Sequence, residues 1–206
     1  MKFPTERSND IADYAEAYAG AVSAGWRSID REALQRAATL LDAAYCNGRR
    51  VFACGNGGSA AISNHLVCDH TKGVATDTDL LPAVISLSAN VEIITAVAND
   101  ISYADIFAFQ LSRLAKPQDI LVAVSSSGNS PNVLAALAWA RSSDVFTIGM
   151  TGFSGGRLRV EADISLHVAV HNYGVVEDVH QGLMHVLAQY IRQSHMHDAT
   201  ITARSF

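Results

Sequence analysis

The period of the hydrophobic positions changes along the chain. Residues 10–26 and 30–47 carry apolar side chains at helical spacing, with Ser28 and Asp30 between them as capping material. Short apolar runs rich in β-branched residues follow at 51–53, 83–87, 120–124, 146–150 and 164–170, and these read as buried strands. Helical patterns separate them at 59–71, at 90–99 and 104–114, at 131–141, and more weakly near 157–160. A long helical pattern over 175–193 comes last. Strands alternating with helices imply right-handed crossovers and a parallel sheet covered on both faces. The fold expected is α/β in three layers. A five-stranded parallel, flavodoxin-like sheet in the order 2-1-3-4-5 is preceded by two helices and followed by a long C-terminal one. No repeat, low-complexity tract or linker interrupts the pattern. One domain over 1–206 is expected, a helical segment at 1–48 leading into an α/β core at 49–206.

In that strand order, strands 1 and 3 are neighbours, and the crevice beyond their carboxyl ends is where ligands bind. The turns after these two strands share a grammar. After strand 1, Cys54 is followed by Gly55, Asn56, Gly57 and Gly58, and Ser59 opens an alanine-rich helix. After strand 3, Ser125, Ser126, Ser127 and Ser130 crowd around Gly128 and Asn129, and Ser130-Pro131 reads as an N-cap with proline at the first helical position. Glycine permits close approach to the backbone, and a helix start favours an anion such as phosphate. One such turn is an ordinary βα corner packed with small residues. Two, after neighbouring strands, point to a phosphorylated ligand. The pattern is neither the dinucleotide glycine fingerprint nor the P-loop, since Lys72 comes too late to act as the P-loop lysine.

Composition narrows the ligand further. The 206 residues are 49% hydrophobic and 17% charged, with a formal net charge of −5 and no Lys/Arg cluster, so a nucleic-acid surface is excluded. An acidic chain that binds phosphate must do so with local donors. Three cysteines without C-x-x-C spacing (Cys46, Cys54, Cys68) read as reduced thiols rather than a disulfide or zinc-finger framework. The first residues form no apolar signal core and no run reaches transmembrane length, so a soluble cytoplasmic protein without a membrane partner is expected.

The groups capable of chemistry gather at two places. His65 and Asp69, four apart, project from one helix face below the first turn. The last helix carries Glu177, Asp178, His180 and His185. Imidazoles and carboxylates on two helices suit a divalent metal such as zinc, or equally a carboxylate base with a histidine acid. Taken singly, each also reads as a helix-surface charge or a satisfied core histidine. Glu177 and His185 stand about 12 Å apart along an ideal helix. One metal takes both only if Glu177 precedes the helix or the two come from different subunits. Asn99-Asp100, between apolar segments, is a plain turn or a binder of sugar hydroxyls.

Taken together, these motifs resemble the SIS (sugar isomerase) domain proteins, and among them the phosphoheptose isomerases, over nearly the whole chain. The matching residues are C-G-N-G-G-S at 54–59, His65 with Asp69, Asn99-Asp100, S-x-S-G-N-S at 125–130, T-G-x-x-G-G at 151–156, and Glu177, His180 and His185. The resemblance implies interconversion of sedoheptulose 7-phosphate and D-glycero-D-manno-heptose 7-phosphate by a homotetramer with sites at subunit interfaces. It implies phosphate held by Ser59, Ser125, Ser127 and Ser130. It also implies zinc at His65, Asp69, Glu177 and His185, with Asp69 and His185 as the acid–base pair. Asn56, Gly57, Gly58, Ser126, Asn99, Asp100 and Glu177 complete the candidate substrate contacts. Three positions depart from the family pattern: Asp69 stands where a glutamate is usual, Glu177 where a glutamine is, and Gly174 where an aspartate is often found. The alternative is a non-catalytic phosphosugar-binding regulator or a tetrameric partner-binding protein.

Overall fold

A computed structural model describes residues 1–204. The chain opens with α1 (Ile11–Arg27) and α2 (Arg31–Cys46), each started by an aspartate. Asp10 accepts from the N–H groups of Ala12 and Asp13 at 2.8 and 3.0 Å, and Asp30 accepts from Glu32 and Ala33 at the same distances. Each such cap stabilises its helix by about 1 kcal/mol. The α/β part then runs β1 (Arg50–Cys54), α3 (Gly58–Cys68), β2 (Ala83–Ser86), α4 (Val91–Asp100), α5 (Ile106–Leu114), β3 (Ile120–Ser125), α6 (Pro131–Ser142), β4 (Phe146–Thr151), α7 (Gly156–Glu161), β5 (Ile164–His167), α8 (Tyr173–Ser194) and α9 (Asp198–Ile201). The five strands are parallel in the order β2-β1-β3-β4-β5, as the alternation of elements predicts.

Strand residues alternate between two cores. Val51, Ala53, Val122, Val124, Ile148 and Met150 face a cluster built with α2, α3 and α8. Phe52, Cys54, Leu121 and Ala123 face a second cluster with α5 and α6. This alternation puts helices on both faces of the sheet and leaves its carboxyl edge for the turns. Cys54 of β1 pairs with Ala123 of β3, so the turns that follow these strands leave that edge side by side. Among the described residues no helix is long and apolar enough to cross a membrane.

Two elements end earlier than their hydrophobic patterns suggest. The run at 164–170 is a strand only to His167, although Val168 and Val170 remain buried. The Val170 N–H donates to the Val168 carbonyl at 2.8 Å, a three-residue turn that swings the chain out of the sheet while keeping both side chains inside. The helix expected over 59–71 stops at Cys68 and widens into a π-helical turn, Asp69–Gly73. The reason for the widening lies in the site.

Candidate active site

The two turns are coupled by a pair of asparagines. Asn56, in the turn after β1, donates to Asn132 at 2.9 Å, and Asn132 donates back at 2.8 Å from the first turn of α6. Tyr103, in a short 3-10 turn after α4, adds a bond from its hydroxyl to Asn56 at 3.1 Å. Asn132 is not among the residues that the motifs single out. It is 1% exposed, and its place directly after Ser130-Pro131 at a helix start was its one signal.

Neither helix that begins at these turns is capped by a side chain. α3 begins at Gly58, one position before the predicted start, and its N-cap Gly57, at φ +55°, has no hydroxyl to offer. Ser130 is the N-cap of α6 as expected, yet its Oγ lies 3.2 Å from Ser125 Oγ and makes no capping bond. Ser125 Oγ also accepts from the Gly128 N–H at 3.2 Å, and Ser127 Oγ from the Asn129 N–H at 3.3 Å. Ser59 and Ser126 are buried, and Ser126 Oγ has no partner. Helix N–H groups and hydroxyls not engaged in capping are what an anion needs. A glycine contact closes the far side: a β-carbon on Gly128 (φ +67°) would overlap the carbonyl of Gly155, so the turn after β4 packs directly on the turn after β3. Asn99 and Asp100 are the exposed last residues of α4. The Asn99 amide donates to Asp100 at 2.7 Å, and neither side chain is bonded to the two turns.

His65, Asp69 and His185 come together with a fourth residue, Gln181, that the motifs do not mark. His65 Nε2 lies 3.2 Å from one Asp69 oxygen, and His185 Nδ1 lies 2.6 Å from the other. Gln181 Nε2 lies 2.9 Å from His65 Nδ1 and 3.2 Å from His185 Nε2. One proton arrangement satisfies all four bonds: each imidazole donates to the carboxylate through one nitrogen and accepts from the amide through the other. Gln181 precedes His185 by one helical turn, the same spacing that links His65 to Asp69. That periodicity was its available signal.

Below this ring, His70 explains the widened turn. Tyr45, from α2, donates its hydroxyl to His70 Nδ1 at 2.7 Å, and His70 Nε2 donates to the Met184 carbonyl at 3.3 Å. Burial pushes the His70 pKa down to about 4, so the ring is neutral. The residue after Asp69 is thereby tied to the residue before His185, which fixes the spacing of the pair. Turning His70 inward while Asp69 stays on the face of His65 is what the π-turn accomplishes; such turns recur at functional sites. A groove of about 390 Å³ opens at Asp69, lined also by Lys72, Thr76, Gln189 and Arg192.

The ligand atoms of His65, Asp69 and His185 all lie within 4.8 Å of one another, a nitrogen–oxygen set that fits zinc. Glu177 is not among them. It lies inside α8, two turns before His185, so the condition that it precede the helix is not met, and within one chain it cannot share their metal. Its carboxylate sits instead against Gly58, where a β-carbon would overlap it. Burial, with Asp178 next to it, raises the Glu177 pKa. Asp178 accepts a 2.7 Å bond from Tyr18 of α1, whose hydroxyl oxygen stands 3.0 Å from where a Gly174 β-carbon would be. His180 is a core residue: its Nε2 donates to the Thr151 carbonyl at 3.2 Å and its Nδ1 is buried without a partner.

Comparison with known proteins agrees with this architecture. The profile of the SIS domain matches residues 13–152. The phosphoheptose isomerase of Nitratidesulfovibrio vulgaris is 40% identical over 157 residues, 76% of this chain and 73% of that protein. Among solved structures, the phosphoheptose isomerase of Neisseria gonorrhoeae superposes with a TM-score of 0.81 at 28% identity, covering 89% of this chain and 97% of that one. The phosphoheptose isomerase of Francisella tularensis gives 0.80 at 31% identity, over 89% and 96% of the two chains.

Proposed function

The chain belongs to the SIS domain family, and we propose that it is an aldose–ketose isomerase interconverting sedoheptulose 7-phosphate and D-glycero-D-manno-heptose 7-phosphate. The observation that carries the reading is the Asp69–His65–Gln181–His185 ring at the C-terminal end of α3, the helix whose uncapped start forms one of the two linked turns. Ser59, Ser125, Ser127 and Ser130, with the N–H groups of Gly57 and Gly58, hold the phosphate. Asn99 and Asp100, bonded to each other at the exposed end of α4, are offered as contacts for the sugar hydroxyls.

The reaction moves one proton between adjacent carbons and one between adjacent oxygens. Asp69 removes the proton from the carbon beside the carbonyl and returns it to the neighbouring carbon. His185, whose Nδ1 is bonded to Asp69, transfers the proton between the two oxygens, so nothing is gained or lost overall. Gln181 holds both imidazoles in one tautomer. His65, Asp69 and His185 are the residues that would hold a divalent cation, zinc by donor type. Such an ion supplies Lewis-acid stabilisation of negative charge on the substrate oxygens. Glu177 joins that set only across a subunit boundary.

We read the protein as one domain, since α1 and α2 share a core with the sheet and α8. We also read it as a closed homotetramer in the cytoplasm. Apolar exposure supports the assembly: Val186 and Tyr190 on the outer face of α8 are 43% and 47% exposed. The test is turnover of sedoheptulose 7-phosphate, ribulose 5-phosphate and fructose 6-phosphate by the purified chain, with and without zinc, alongside its light-scattering mass. Turnover of the seven-carbon ketose is expected. Binding of these sugars without turnover of any would replace the enzyme reading with that of a phosphosugar-binding module.

A further inference from the structure

A second cluster of metal-ligating side chains lies where α2 and α8 end. Asp42 and Cys46 are four apart on α2 and share one face, and Cys46 is the last residue of that helix. His195 is the C-cap of α8. The His195 Nε2 lies 2.6 Å from Asp42 Oδ1, and the oxygen, the sulfur and an imidazole nitrogen all lie within 4.8 Å of one another. Two helix C-termini converge here, each presenting the negative end of its dipole, and the last turn of α2 contains no basic residue to offset it. The basic residue in the last turn of α8, Arg192, is directed to Asp77 at 2.9 Å and to the Thr76 carbonyl at 3.0 Å. The field at the cluster therefore favours a cation.

We propose that Asp42, Cys46 and His195 form a second divalent-metal site, selective for zinc-like ions, that fastens the C-terminal end of α2 to that of α8. The donor set decides the class of ion. A thiolate and an imidazole select against magnesium and calcium, which take oxygen ligands, and a carboxylate selects against copper(I). Asp42 and His195 side chains are 38% and 30% exposed and Cys46 lies at the surface, so an ion enters from solvent and a water completes the tetrahedron. Without a metal, the cluster reduces to a surface Asp–His pair of small energetic weight.

This site is separable from the one at Asp69 because only it contains sulfur. The metal-free full-length chain is titrated with cobalt(II), whose thiolate complexes give an intense near-ultraviolet charge-transfer band that histidine and carboxylate ligands do not. The band is expected in the wild-type protein and in Cys68→Ser, and is expected to be lost in Cys46→Ser. Zinc is expected to raise the thermal midpoint, and that rise to be smaller in both Cys46→Ser and His195→Ala than in the wild type, the remainder coming from the separate group at Asp69. Zinc affinity at this site, measured by chelator competition, should fall about 100-fold or more in each, since even outer partners of metal ligands contribute 10–100-fold. Absence of the band, or its persistence in Cys46→Ser, overturns the proposal. So does a His195→Ala midpoint shift that is the same with and without zinc, which would mark an ion pair only. None of these readouts depends on catalysis.

Discussion

Asp69 and His185 are 116 positions apart in sequence and 2.6 Å apart in space, joined through Asp69 Oδ2 and His185 Nδ1. The other Asp69 oxygen faces His65, so one carboxylate organises two imidazoles from two helices. Asp69→Asn keeps the shape but replaces an accepting oxygen by a donating NH2. It can no longer accept from both rings, and it is a poor base. We expect kcat to fall by a factor of about 10²–10⁴, the range typical of a lost general base, with KM changed far less. Asp69→Glu, which retains the carboxylate, should keep most of the activity. Equal rates for the Asn variant and the wild type would remove Asp69 from the chemistry.

Ser130 separates a binding role from a structural one. A serine at an N-cap normally contributes about 1 kcal/mol to stability, which alanine forfeits. Here Oγ points to Ser125 and makes no capping bond, so Ser130→Ala should leave the denaturation midpoint nearly unchanged. Hydrogen bonds to a charged partner are worth about 1.5–3 kcal/mol, which corresponds to a rise in phosphosugar KM of about tenfold or more. A destabilised variant with normal KM would show the opposite assignment.

Glu177 places a carboxyl group against Gly58, at the helix start proposed to receive the phosphate. Its raised pKa reflects burial and the neighbouring Asp178, and a dianion beside it would disfavour its charge further. Glu177→Gln removes that like charge while keeping the volume. If Glu177 acts within its own subunit, phosphosugar KM should fall several-fold, as expected for relief of about 1 kcal/mol. If it serves the metal of a neighbouring subunit, the same variant should instead lower zinc content. Kinetics and elemental analysis on one sample distinguish the two.

These residues also mark how far the sequence could be read. Strand order and the neighbouring turns follow from hydrophobic periodicity, because a βα repeat permits few topologies. His65 and Asp69 were legible for the same reason, since helical spacing is local. Gln181 obeys that spacing too, but its value rests on α8 facing α3, a fact of tertiary packing. His70 was hidden by a change of helical period: a regular helix through 59–71 predicts no π-turn, and the inward bond to Met184 that accompanies it spans 114 positions. The resemblance implies Glu177 as a metal ligand, and its spacing from His185 allows this within one chain only if it precedes the helix; that it lies inside α8 is a fact of the fold.

His180 predicts how the fold responds to acid. It is fully buried, donates through Nε2 to the Thr151 carbonyl and has no partner at Nδ1, so a second proton would create a buried, unpaired charge. Burial accordingly lowers its pKa from 6.5 to about 4. Between those values the unfolded chain binds a proton that the folded chain refuses. The stabilising contribution of neutral His180 is therefore complete above about pH 6.5 and is lost as pH falls toward 4. At about 1.4 kcal/mol per pKa unit, this one residue removes as much as about 3 kcal/mol across that window. His180→Leu should be less stable than wild type at pH 7.5, where the Thr151 carbonyl loses its donor. Its urea midpoint should then fall less steeply toward pH 4, at constant protein concentration, with the similar dependences of His70 and the half-buried His167 left. Parallel pH profiles for the two proteins would mean that the folded chain takes up a proton at His180 as readily as the unfolded one, and would overturn its assignment as a buried neutral ring.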